Sequence, residues 1–126
     1  MSSTEQKILI VDDDSRNIFA LKAVLKSKGF SCDAVQSAQE AIDVLLSAQD
    51  YYCVLLDMMM PEMDGYEALR VLRSEPETAR LKVIAVTAQA MKGDREKCLE
   101  AGADEYLSKP VDVDSLIAML RAWEKQ

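Results

Sequence analysis

Five short runs of strand-like residues recur along the chain, each followed by a stretch with helical spacing, and this alternation is the strongest constraint on the fold. The runs are KILIV (7–11), SCDAV (31–35), YCVLL (52–56), KVIAV (82–86) and DEYLS (104–108). Short strands alternating with amphipathic segments imply an α/β protein with a parallel sheet. The 126 residues suffice for one hydrophobic core and fall short of two. No repeat, low-complexity tract or linker interrupts the pattern. The expected organisation is a tail at residues 1–6 and one domain over 7–126.

The helical segments carry their own start and stop signals. In SRNIFALKAVLKSKG, Ile18, Leu21, Val24 and Leu25 share a face, and Gly29 is placed as a stop. Ser37 followed by Glu40 predicts a capping box opening AQEAIDVLLSA. A third helix is expected over YEALRVLRS, with Tyr66, Leu69 and either Leu72 or Arg73 setting the spacing, followed by a loop, SEPETARL. The fourth, within AMKGDREKCLEAG, has Gly93 near its start and Gly102 at its stop, and the fifth begins near Val113 with Asp112 as N-cap. The pattern is (βα) repeated five times.

Composition excludes several functions. A net charge of -7 argues against nonspecific affinity for nucleic acid or anionic membrane, because both require clustered Lys and Arg. No apolar run approaches the roughly 20 residues that span a bilayer, so a cytoplasmic protein with no membrane partner is expected. Cys32, Cys53 and Cys98 have no paired metal-ligand spacing and read as reduced, packed thiols. There is no histidine. If the chain handles a phosphoryl group carried by histidine, that histidine belongs to another molecule.

In an open parallel sheet, ligands bind beyond the C-terminal ends of the strands. After the first run come Asp12, Asp13 and Asp14; after the third, Asp57; after the fourth, Thr87; after the fifth, Lys109. Carboxylates gathered there repel one another and require protons or a cation. Oxygen ligands without His or Cys favour a hard ion, and a few carboxylates with room for water favour Mg²⁺. Lys109 adds a second positive charge and Thr87 a hydrogen-bond donor, a constellation that fits an aspartate accepting phosphate. Asp14 alone reads as a helix cap. Met58, Met60 and Met63 read as packing and loop residues.

Through ILIVDDD, VLLDMMMPEMDG, VIAVTA and GADEYLSKP, the chain resembles the CheY-like response regulator receiver family over essentially its whole length. The resemblance implies a flavodoxin-like doubly wound sheet of order 2-1-3-4-5. It implies that Asp12 and Asp13 hold Mg²⁺, that Asp57 is the phosphoacceptor, and that the Met59 carbonyl is a further metal ligand. Thr87 would be the switch hydroxyl, Lys109 the phosphate-pairing base, and Pro110 would follow a cis peptide bond. Tyr106 stands where the family's aromatic switch residue is found, and Thr87 and Tyr106 would form one two-state element. Met59 and Gln89 occupy a pair of positions that, the resemblance implies, influence how water reaches the acyl phosphate. An apolar thioether cannot orient that water, so the phosphorylated form is not expected to be unusually short-lived.

The implied function is two-component signal transduction: a sensor or hybrid histidine kinase, or a histidine phosphotransfer protein, donates to Asp57. The face of the fourth helix, fifth strand and fifth helix would then change its affinity for a downstream protein target. Such a chain is a switch, not an enzyme, with at most slow autodephosphorylation. Two alternatives stand beside it. One is a receiver-like scaffold that binds without phosphorylation. The other is an aspartyl-nucleophile phosphatase, disfavoured because the position two residues after the nucleophile is Met59 and not a second Asp. No output domain is expected after Trp123, which implies a stand-alone receiver or a piece excised from a larger protein, and Met1 favours the first. Trp123 reads either as an exposed anchor or as packing of the last helix.

Overall fold

The computed structural model describes residues 7–47, 51–88 and 92–124, so the expected tail and Gln89 lie outside the described residues. The elements alternate from end to end: β1 (Lys7–Val11), α1 (Ser15–Ser27), β2 (Ser31–Val35), α2 (Ala38–Ser47), β3 (Tyr51–Asp57), α3 (Gly65–Ser74), β4 (Lys82–Thr87), α4 (Asp94–Ala101), β5 (Glu105–Ser108) and α5 (Val113–Glu124). All strand pairs are parallel, in the order β2-β1-β3-β4-β5. Both the (βα) repeat and the strand order are those expected.

Period-2 alternation divides the core between the two faces of the sheet. Leu9, Val54, Leu56 and Val83 point toward α2 and α3, against Ile42, Leu45, Leu69 and Leu72. Ile8, Ile10, Leu55 and Ile84 point the other way, against Leu25 of α1 and Leu116 and Leu120 of α5. Central strands buried on both faces must read as continuous apolar runs, which is why YCVLL and KVIAV show no alternation. Trp123 is partly buried against the second of these clusters, with the Lys82 ammonium 5.7 Å from its ring centre.

Several boundaries differ from expectation for identifiable reasons. β3 and β4 each run one residue further, with Asp57 opposite Val86 and Thr87 opposite Ser108. β5 begins at Glu105 because Asp104 leaves the ladder: its amide donates to the Val83 carbonyl (2.8 Å) while its carboxylate, in place of backbone, accepts the Val83 amide (2.8 Å). α4 starts at Asp94, since Gly93 has φ 89° and a left-handed residue cannot continue a right-handed helix. Ser37 does cap α2, but the Glu40 carboxylate reaches past it to the Gln36 amide (3.1 Å). Asp112 precedes α5 and its carboxylate accepts the Ser115 hydroxyl.

Arg73 settles the choice left open in α3. Leu72 is buried, whereas the partly buried Arg73 guanidinium ties α3 to the loop before β4 and to the turn before β5. It donates to the carbonyls of Gly102 (2.7 and 2.9 Å), Leu81 (2.6 Å) and Ala79 (3.0 Å), and to the Asp104 carboxylate (3.0 Å). Gly102 is required there twice over: its φ is +120°, and a Cβ would lie 3.0 Å from Arg73 Cγ.

Candidate functional site

The strand order reverses beside β1, and the residues at the tips of β1, β3, β4 and β5 meet there. Asp12 follows β1 and is 3% exposed; Asp57 ends β3 and is 4% exposed. Asp13 is exposed at the mouth. One carboxylate oxygen from each of Asp12, Asp13 and Asp57 lies within 4.8 Å of the others. Asp14 takes no part in that group: it is the N-cap of α1, accepting the Arg16 amide (2.9 Å).

Each carboxylate is held by bonds that fix its direction. Asp12 Oδ1 accepts the Asp14 amide (2.9 Å), and Oδ2 accepts Asn17 Nδ2 (3.4 Å). Asp57 Oδ1 accepts the Met59 amide (3.0 Å). The Met58 amide donates to the Val86 carbonyl (2.9 Å), which carries the β3–β4 ladder one step past Asp57. Lys109 reaches back over the edge: its Nζ is 3.2 Å from Asp12 Oδ2 and 3.4 Å from Asp57 Oδ2. The Lys109 amide donates to the Thr87 carbonyl (2.8 Å), and the Lys109–Pro110 peptide bond is cis.

The electrostatics follow from burial. Desolvation pushes the Asp57 carboxyl above the ordinary carboxylate range; the Met59 amide and Lys109 oppose it, and Asp12 adds to it. Burial draws Lys109 down, but Asp57 and Asp12 together outweigh it and hold the ammonium above the usual lysine value. Two buried carboxylates and an exposed third against one ammonium leave a surplus of negative charge. That surplus and the all-oxygen donor set fit a hard divalent cation.

Thr87 is buried (4% exposed) at the tip of β4. Tyr106, in β5, is partly buried beside the α2/α3-side core, where burial and then Asp94 and Cys98 of α4 raise its hydroxyl pKa. Met58 and Met60 are buried and Met59 is 48% exposed, so only the middle thioether of the run faces solvent. The cysteines are free; burial raises the Cys32 thiol to about 11 and pushes Cys53 up further.

Three contributors escaped the sequence reading. Asn17 lies one turn into α1 and buttresses Asp12, detectable only as a polar residue on an otherwise inward face. Asp64 caps α3 in a reciprocal box with Glu67, a D-x-x-E signature present in the sequence. Gly65 opens α3 against the loop after Asp57: its amide faces the Met58 carbonyl (3.4 Å), and a Cβ would come within 2.7 Å of Met58 Cα.

The response regulator receiver domain matches residues 8–121. The chain belongs to the receiver family of two-component response regulators. It is 31% identical over 120 residues to the polar-differentiation response regulator DivK of Brucella ovis, covering 94% of this chain and 95% of that protein. To the response regulator MprA of Mycolicibacterium vanbaalenii it is 39% identical over 116 residues, and to hybrid signal transduction histidine kinase I of Dictyostelium discoideum 36% over 113. These matches cover 92% and 85% of the chain, which spans only 49% and 6% of those two proteins. Among solved structures, the receiver domain of sensor histidine kinase PA1611 from Pseudomonas aeruginosa, described with a magnesium ion in its active-site cleft, superposes with a TM-score of 0.87. The two are 35% identical, over 98% of this chain and all of that one (100%). Receiver domains as a class are phosphoacceptor switches that work with histidine kinases or phosphotransfer proteins. Among the described residues, no helix is long and apolar enough to cross a membrane.

Proposed function

We propose that Asp57 accepts a phosphoryl group in a Mg²⁺-dependent reaction and that the modified aspartate changes the affinity of the α4–β5–α5 face for a protein target. The observation that carries this is the position of the Lys109 ammonium, within 3.4 Å of both Asp12 and Asp57 at the strand tips. A structural lysine would not need two buried carboxylates, and a structural carboxylate pair would not be placed where ligands enter.

Asp12, Asp13, Asp57 and the Met59 carbonyl would hold the cation, which when bound neutralises negative charge on the carboxylates and on a phosphoryl oxygen. An Asp57 oxygen attacks phosphorus while the bond to the donor, a phosphohistidine nitrogen of a kinase or phosphotransfer protein, breaks. The electron pair leaves with that nitrogen. The Met59 amide keeps Oδ1 fixed, so Oδ2 is the oxygen free to turn from Lys109 to phosphorus. Lys109 then pairs with the phosphoryl oxygens, and the Thr87 hydroxyl donates to one of them. The turn of Thr87 toward the phosphoryl group would open space for the Tyr106 ring, linking the site to the target face. That linkage would be worth a typical ~1–3 kcal/mol. Water attacks only slowly because no acid or amide side chain stands at position 59. A cytoplasmic setting, where the donor resides, goes with this function.

Intact mass after incubation with a small-molecule phosphodonor, with and without Mg²⁺, tests the proposal. A single Mg²⁺-dependent phosphoryl adduct, lost in Asp57→Asn, is expected. No adduct under any condition would overturn it and leave a phosphorylation-independent binding module.

A further inference from the structure

Beneath Lys109 a cavity of about 230 Å³ runs between α1 and the segment joining β5 to α5. Its floor is Ile10, Leu55 and Val86, side chains on the α1/α5 face of the sheet. Leu21 and Val24 of α1 form one wall and Val111 and Val113 the other. The polar side chains all lie at one end: Asp12, Asn17, Asp57 and Lys109.

This distribution specifies the occupant. An ordered water needs two to four polar partners, and no floor or wall side chain offers one. An aliphatic cavity of about 150 Å³ suffices for benzene, so this one has room for a one- or two-ring molecule of about eight to ten non-hydrogen atoms. A charged guest would be stripped of water, and the ammonium facing the cavity is already engaged with two carboxylates. A neutral guest with one hydrogen-bonding group meets no such penalty. Its N–H or O–H would meet the Asp12 carboxylate, which lines the polar end of the cavity.

We propose that the cavity between α1 and the β5–α5 segment binds a small uncharged aromatic amphiphile, its ring on Leu55 and Val86 and its single donor at Asp12. Such a guest lies against Lys109 and therefore communicates with the acidic site. The binding itself goes beyond phosphoryl acceptance and does not depend on it.

Indole is the probe: nine non-hydrogen atoms, no charge and one N–H. Titrated into the full chain and followed by methyl NMR, it should produce saturable shifts at Leu21, Val24, Leu55 and Val86. A dissociation constant of about 0.1–1 mM suits a guest of that size. Ala20→Phe places a ring at the cavity mouth from an exposed position of α1 and should weaken binding at least about tenfold. Ala23→Phe, equally exposed but on the other flank of α1, should leave binding unchanged. Thermal melts of both variants establish that they fold. Absence of saturation, saturation at other methyls, or equal affinity in Ala20→Phe would each overturn the proposal.

Discussion

Lys109→Met removes the ammonium that faces both Asp12 and Asp57 and leaves two buried carboxylates side by side. Breaking a buried ion pair by deleting one partner costs about 3–5 kcal/mol. The variant has one escape, which sets a ceiling: a carboxylate can take up a proton. Against an unfolded carboxyl pKa near 3.9, protonation at pH 7 costs about 4 kcal/mol, at about 1.36 kcal/mol per unit. The expected loss in metal-free buffer at pH 7 is therefore about 3–4 kcal/mol, or about 10–15 °C in melting temperature for a chain of this size. The sign of the pH dependence follows. Between about pH 4 and the raised native pKa, the variant's native state binds one more proton than its unfolded state, so its stability falls as pH rises. The gap to wild type should close by about 1.4 kcal/mol for each unit of acidification until the wild type's own Asp57, itself raised by burial, takes up its proton. Saturating Mg²⁺ supplies the missing positive charge and should stabilise the variant more than the wild type, with about 2.7 kcal/mol available at a hundredfold excess over the dissociation constant. Urea denaturation at pH 7 and pH 5, in chelator and in Mg²⁺, measures each quantity. A loss under about 1 kcal/mol at pH 7, or one that does not change between the two pH values, would refute the electrostatic account.

Arg73→Met should cost about 2–4 kcal/mol in urea denaturation, because charge-assisted bonds to the Gly102 and Leu81 carbonyls and to Asp104 are lost together. Arg73→Lys should recover less than half of that, since one ammonium cannot span the same acceptors. Gly65→Ala should lower stability by about 1–3 kcal/mol through the clash with Met58, and should slow phosphorylation in the mass assay by displacing the loop after Asp57. Met59→Asn should shorten the lifetime of the phosphorylated form, read from the decay of the adduct mass; an unchanged lifetime would remove Met59 from any role in shielding the acyl phosphate.

The parts of the fold that were legible depend on local periodicity. β1 and β2 coincide with KILIV and SCDAV, and Asp12, Asp57 and Lys109 come within ion-pair reach because a parallel sheet sends every strand's C-terminal end to one edge. What escaped depends on contacts between residues distant in sequence. Arg73 is separated by 29 positions from Gly102, and the spacing of α3 alone could not say whether it or Leu72 faced the core. The late start of the β5 ladder was equally hidden, because an Asp104 carboxylate replacing backbone at Val83 leaves no periodic trace. Nothing in MPEMDG marks Gly65 as a packing position, and its contact with Met58 emerges only when α3 folds back onto the loop.

The Met58 amide continues the β3–β4 ladder past Asp57, and the Lys109 amide bonds to the Thr87 carbonyl. These are main-chain bonds, available to almost any residue at those positions. The frame that aims the reactive side chains is thus largely indifferent to the identity of its neighbours. Helix surfaces can be rewritten to recognise a different donor or target while the carboxylates keep their aim. A designer could therefore retune partner choice on the outside of this fold and leave the chemistry at its edge undisturbed.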